Sequence, residues 1–231
     1  MVYAAGLILL FLAACGSETK PAATPQVPVE STTVATIEAT GVRVLFIGTS
    51  LTAGLGLDPD SSYPALLQRM ADENGLNVTM VNAGLSGETS AGALRRVDWL
   101  LRDKAAVVVI ETGANDGLRA LNPDATRDNL VAIIRRVRET YPEARVLLAQ
   151  MEAPPNLGPQ YTRAFHDNFL TVARDEGVTL IPFFLEGIAA VPSMNQSDGI
   201  HPNEEGTRRA ARNIWKALGP VLRQVPGAVR R

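Results

Sequence analysis

The chain has 231 residues, 46% hydrophobic and 20% charged, which excludes a wholly disordered chain and gives one or two domains with a real core. A formal charge of −2 argues against a nucleic-acid binder, which carries a basic face. A single cysteine excludes an internal disulfide framework and a Cys-based zinc site, and two histidines, His166 and His201, leave few imidazoles for acid–base chemistry.

Residues 2–14 form an unbroken apolar run, too short to span a bilayer as a helix but of the right length for the core of a secretory signal. It ends in Leu12-Ala13-Ala14-Cys15, which resembles the lipobox of bacterial lipoproteins. That resemblance implies cleavage before Cys15 and lipidation of its thiol. The absence of Lys or Arg before the run departs from the pattern, and an ordinary cleaved signal is the alternative. Gly16, in place of Asp after the Cys, implies an outer-membrane position if the host has two membranes. Residues 16–40 carry Pro21, Pro25 and Pro28 with many Thr, Ser and Ala and few large apolar side chains. They read as a flexible tether spanning roughly 25–30 Å on average. The expected organisation is therefore a signal over 1–14, a tether over 15–40 and a folded domain over 41–231.

The folded part opens with an apolar run at 42–47, and similar runs follow at 78–83, 106–111, 145–150 and 178–184. Each has the length and composition of a buried strand. Helical periodicity fills the intervals, at 63–74, 90–103, 124–140 and 160–176, and a last helix is expected over 204–223. Strands alternating with helices predict right-handed βαβ units, hence a single three-layer α/β/α domain on a five-stranded parallel sheet. Ligands of such sheets bind at the carboxyl ends of the strands. The loops after the strands are where chemistry is to be sought.

The loop after the first strand reads Gly48-Thr49-Ser50-Leu51-Thr52-Ala53-Gly54. Ser50 sits at a strand-to-helix turn, where a serine either caps the helix or serves as a nucleophile beside backbone amides that favour an oxyanion. After the second strand, Asn82-Ala83-Gly84-Leu85-Ser86-Gly87-Glu88-Thr89 offers two glycines that let a ligand approach the backbone. After the third comes Glu111-Thr112-Gly113-Ala114-Asn115-Asp116; Asn115 can donate its side-chain NH2 to an anion, or the Asn-Asp pair can form a plain Asx turn. Near the C-terminus, Asp198-Gly199-Ile200-His201-Pro202 spaces a carboxylate to reach Nδ1 of the imidazole and leave Nε2 free to take a proton. His166 is the rival base. It lies on a helix beside Phe165, with no carboxylate at a motif spacing.

Each signal is weak alone. In conjunction, and in this order, they resemble the SGNH (GDSL) hydrolases, and within them the bacterial arylesterase, thioesterase I and lysophospholipase group. The resemblance runs from about Val42 to Leu222 and includes Tyr63-Pro64-Ala65-Leu66-Leu67, Gly113-Ala114-Asn115-Asp116-Gly117-Leu118-Arg119 and Pro182-Phe183-Phe184-Leu185. It implies the flavodoxin-like fold of that family, with Ser50 as nucleophile and first oxyanion amide, and Gly87 and Asn115 as the other oxyanion donors. It further implies His201 as base and Asp198 as its partner. Gly84 receives no oxyanion role. The departure is Thr49, where the family's name motif has Asp.

The implied activity is hydrolysis of carboxylic esters through an acyl-enzyme, with no metal or organic cofactor. The implied partners are a small-molecule or lipid ester substrate and, through Cys15, a membrane. A carbohydrate O-deacetylase and a non-catalytic surface binding lipoprotein on the same scaffold are the alternatives.

Overall fold

The structure is a computed structural model that describes residues 41–230. The expected signal and tether, and Cys15, lie outside the described residues.

Strand β1 (Val42–Gly48) leads through a four-residue helix α1 (Ser50–Ala53) and helix α2 (Tyr63–Glu73) to β2 (Val78–Gly84). Helix α3 (Ser90–Leu100), β3 (Val107–Glu111), the short α4 (Ala114–Leu118) and α5 (Pro123–Thr140) follow. Strand β4 (Arg145–Ala149), α6 (Pro159–Asp175), β5 (Thr179–Ile181) and α7 (Glu204–Arg223) complete the domain. All strands pair in parallel, in the order β2-β1-β3-β4-β5. Helices α3, α5 and α6 lie side by side on one face, and α2 packs with α7 on the other. The three-layer sandwich expected from the sequence is therefore the observed fold.

The central strands are apolar because both faces are covered. Val44 to Ile47 and Val107 to Ile110 are buried throughout, as are Leu147 and Leu148. Against them stand Leu67 from α2, Leu130, Ile133 and Ile134 from α5, Phe165 and Phe169 from α6, and Ile214 and Leu218 from α7. A Phe-to-Ala change in such a core costs about 3–5 kcal/mol.

Three expectations need correction. The fifth strand is three residues long instead of reaching Phe184, because Pro182 brings no N–H to the ladder. Helix α4 is not expected from the sequence, and α1 is expected there only as a helix start with no bounds, since four or five residues are too few to show a period. Thr49, not Ser50, is the N-cap of α1; its hydroxyl faces the Leu51 N–H while Ser50 takes the first helical position.

The strand order reverses direction between β1 and β3, so their carboxyl ends open a crevice at the switch point. The register sets Gly48 opposite both Gly84 and Glu111. Close approach is required there. A Cβ on Gly48 would run into the Thr52 hydroxyl, and one on Gly84 into the Ala53 amide.

Candidate active site

Ser50 enters the crevice from the first turn of α1. Its Oγ lies 2.9 Å from Nε2 of His201, 151 residues away in sequence. His201 Nδ1 lies 2.6 Å from Asp198 Oδ2. Asp198 also accepts the backbone N–H groups of Ile200 and His201 through Oδ1, at 2.9 and 3.0 Å. The imidazole bond, then these amides, hold its carboxyl down at about 2, so it stays ionised across the neutral range. With the carboxylate on Nδ1, the tautomer that leaves Nε2 to accept from Ser50 is favoured.

The loop that carries His201 is pinned to the loop that carries Ser50. Gln196 donates to the Leu55 carbonyl at 2.7 Å and the Pro202 carbonyl at 3.0 Å, and its own N–H bonds the His201 carbonyl at 2.8 Å. This link crosses 141 residues and has no local sequence signal.

The β2 and β3 loops complete the rim. Asn115 donates one Nδ2 hydrogen to the Glu88 carbonyl at 3.0 Å, which leaves the second hydrogen available. Gly87 adopts φ +78°, in the left-handed region that favours glycine, and its carbonyl accepts from Arg119 at 2.9 Å. Glu88 is buried and grips Arg96 with two bonds of 2.7 and 2.6 Å, while Arg96 also caps the Ala83 carbonyl at 2.8 Å. Asp116, buried beside Asn115, accepts the Ser90 N–H at 2.8 Å and also the hydroxyls of Ser90 and Thr126. It therefore ties α4 to the N-terminus of α3, in place of the Asx turn considered from the sequence.

Beneath Ser50 lies Glu111, 1% exposed at the end of β3. It accepts the Thr49 N–H at 2.9 Å, the Thr49 hydroxyl at 3.0 Å and the Thr52 hydroxyl at 2.7 Å. Burial pushes its carboxyl up to about 7, against the opposing pull of those donors. Thr52 in turn meets the buried Tyr63 hydroxyl. Burial and then the Glu111 charge push that phenol up, so it stays neutral.

The structure thus brings Ser50, His201 and Asp198 into one hydrogen-bonded line, with Gly87 and Asn115 on adjoining, cross-braced loops. His166 is not part of it. The sequence reading saw no carboxylate for His166, yet Nδ1 lies 2.7 Å from Glu152 Oε1 and 3.0 Å from the Gln150 amide. The Pro154-Pro155 loop after β4 folds back over α6 and brings Glu152 there across 14 residues. Cys15 lies outside the described residues.

Glu111, Asp116, Glu88, Arg96, Arg119 and Gln196 went unassigned in the sequence reading. Glu111 did carry one signal, a charge closing an otherwise apolar buried strand.

Residues 46–209 match the family model of the GDSL-like lipase/acylhydrolase family. The chain is 43% identical to esterase TesA of Pseudomonas aeruginosa over 188 residues, which covers 81% of this chain and 92% of that protein. It is 36% identical to thioesterase 1/protease 1/lysophospholipase L1 of Escherichia coli over 180 residues, covering 78% and 84%. Among solved structures, a crystal structure of TesA superposes with a TM-score of 0.74 at 43% identity, over 78% of this chain and 99% of that one. The psychrotrophic esterase EstA from Pseudoalteromonas sp., inhibited by monoethylphosphonate, gives a TM-score of 0.74 at 33% identity, over 79% and 99%. The chain belongs to the GDSL-like lipase/acylhydrolase family and is a carboxylic ester hydrolase.

Proposed function

We propose that the protein is a serine esterase of acyl or aryl esters that works through Ser50, His201 and Asp198. The observation that carries this reading is the unbroken line from Ser50 Oγ to His201 Nε2 at 2.9 Å and from Nδ1 to Asp198 at 2.6 Å. Ser50 Oγ attacks the ester carbonyl as its proton passes to His201 Nε2. Asp198 holds the imidazole and stabilises its charged form. The oxyanion takes hydrogen bonds from the Ser50 and Gly87 amides and from the free hydrogen of Asn115, each worth about 3 kcal/mol of barrier. The tetrahedral adduct then expels the alcohol, which leaves with the proton from His201. Water gives a proton back to His201 as it attacks the acyl-enzyme, and collapse frees the acid and restores Ser50. No step calls for a metal or an organic cofactor.

The rim supports an apolar acyl group over a sugar. Among the described residues eight large hydrophobics are exposed, and five of them, Leu55, Leu85, Leu118, Leu121 and Ile200, lie in the segments that carry these residues or directly follow them in sequence. Lysophospholipids and acyl thioesters carry the same kind of apolar acyl group. The names of the relatives, esterase TesA, arylesterase and thioesterase 1/lysophospholipase L1, support the same substrate classes. The signal-like run and Cys15 extend the proposal to an exported enzyme anchored by lipid to the cell envelope.

A series of p-nitrophenyl esters, from acetate to long acyl chains, tests this reading on purified wild type and Ser50→Ala. Turnover that rises beyond acetate and vanishes in the variant is the expected result. Acetylated sugars cleaved in preference to every acyl ester would overturn the substrate assignment. An inert wild type would leave only the binding lipoprotein.

A further inference from the structure

The proposed chemistry leaves one buried carboxyl beside it without a role. Glu111 hydrogen-bonds neither His201 nor Ser50, yet it accepts three donors from the two residues that flank the serine turn, Thr49 and Thr52.

We propose that Glu111 is a positioning residue for Ser50, holding the first turn of α1 through Thr49 and Thr52 so that the Ser50 hydroxyl is aimed at His201. This rests on the reading of Ser50 as the nucleophile.

The helix it would hold cannot hold itself. α1 has four residues and ends at Gly54 in the left-handed conformation, closed by the bonds from Ala53 N–H to the Thr49 carbonyl and from Gly54 N–H to the Ser50 carbonyl. A helix of one turn has no stability of its own in water. Its direction must be set from outside: Asn82 holds the Thr52 carbonyl at 2.8 Å and Gln196 the Leu55 carbonyl at 2.7 Å beyond the serine, and the Glu111 carboxylate takes Thr49 before it and Thr52 after it. One oxygen takes the backbone N–H of Thr49, one peptide before the Ser50 amide assigned to the oxyanion. The same oxygen takes the Thr52 hydroxyl, three residues on. Ser50 therefore lies between two clamps that share one carboxylate. The register reinforces this, since Glu111 is the β3 partner of Gly48, the last residue before the turn.

Thr49 also finds its reason here. Its hydroxyl donates to Glu111 at 3.0 Å. The Asp of the family's name motif would bring a second carboxyl to that place and would need a shared proton to bond at all. An apolar side chain at this place would leave the Thr49 N–H without its acceptor, so the role of Glu111 is tied to holding that donor. Burial that pushes the carboxyl up to about 7 marks the cost of keeping it there.

The test compares Glu111→Ala, Glu111→Gln and Thr49→Val with wild type and a Ser50→Ala control. Steady-state kinetics on p-nitrophenyl acetate, the rate of phosphonate labelling of Ser50 and thermal melts are read for each. Loss of aim by a fraction of an ångström to an ångström reduces turnover strongly without weakening substrate binding. Glu111→Ala is expected to lose about 100-fold in kcat and in labelling rate with KM within about threefold. Glu111→Gln keeps an oxygen for the Thr49 N–H and is expected to recover kcat to within about tenfold of wild type. Thr49→Val keeps that N–H, loses only the hydroxyl bond and is expected to fall about tenfold in kcat with little change in melt.

A folded Glu111→Ala with kcat within about twofold of wild type, or with only KM raised, overturns the proposal. So does a Gln variant as inactive as the Ala variant. If Glu111→Ala does not fold, Thr49→Val decides, and kcat within about twofold of wild type overturns the proposal. An active Ser50→Ala control sinks the nucleophile reading instead, which keeps the two failures distinct.

Discussion

The backbone N–H and the hydroxyl of Thr49 both end on the carboxylate of Glu111, at 2.9 and 3.0 Å, across 62 residues of sequence. The residue next to the proposed nucleophile is thus held by the end of a neighbouring strand. It reads as a local departure from a motif but is one half of a buried pair.

That pair gives stability a pH dependence of known sign. The Glu111 carboxyl is pushed up from 4.5 to about 7 in the fold, so the folded state binds its proton more tightly than the unfolded chain. Its contribution is fully present below about pH 4.5 and is lost as pH rises through about 7. Urea unfolding of wild type and Glu111→Gln at pH 4.5 and pH 8 checks this. Wild type is expected to lose about 3 kcal/mol relative to the variant between the two. A difference that does not change with pH would show that Glu111 does not titrate in that range.

Replacing Thr49 by Asp sets a second carboxyl against the first. The two then share one proton and titrate as a pair. Thr49→Asp is expected to stay active near pH 6, and its melting temperature relative to wild type is expected to fall between pH 6 and pH 8. A variant as stable as wild type at pH 8 would mean that the two side chains do not face each other.

Removal of the proposed oxyanion donor separates Asn115 from His166. Asn115→Ala is expected to reduce kcat by about 10²–10³-fold with a smaller change in KM. His166, bonded to Glu152 and Gln150 and not to Ser50, is expected to change kcat on acetate esters by less than about threefold when replaced by Ala. His166→Ala as damaging as His201→Ala would reverse the choice of base.

The proposed envelope location rests on Cys15. Wild type is expected in the membrane fraction of expressing cells and Cys15→Ala in the soluble fraction, since several acyl chains anchor firmly. Equal solubility of the two proteins would replace the lipoprotein with a plain secreted esterase.

Much of the fold was legible because burial writes itself into composition. Runs such as Val107 to Ile110 are apolar on both faces, whereas the end of the fifth strand at Pro182 was passed over because the apolar run continues to Phe184. The His201–Asp198 pair was legible because its partners lie three residues apart. The supporting residues were not. Asp116 reaches Ser90 across 26 residues, and Gln196 reaches Leu55 across 141. Such bonds depend on where the sheet sets two loops side by side, and no local spacing announces them. Helix α4 and the extent of α1 escaped for a different reason, being too short to carry a period.

The central claim is that Ser50 is the nucleophile activated by His201. A serine-directed phosphonate, followed by peptide mapping and steady-state kinetics, tests it most directly. The account predicts one adduct, on Ser50, forming far more slowly in His201→Ala, and an ester hydrolysis rate that falls by several orders of magnitude in Ser50→Ala. An adduct on another residue, or a Ser50→Ala variant within about tenfold of wild-type turnover, would contradict it.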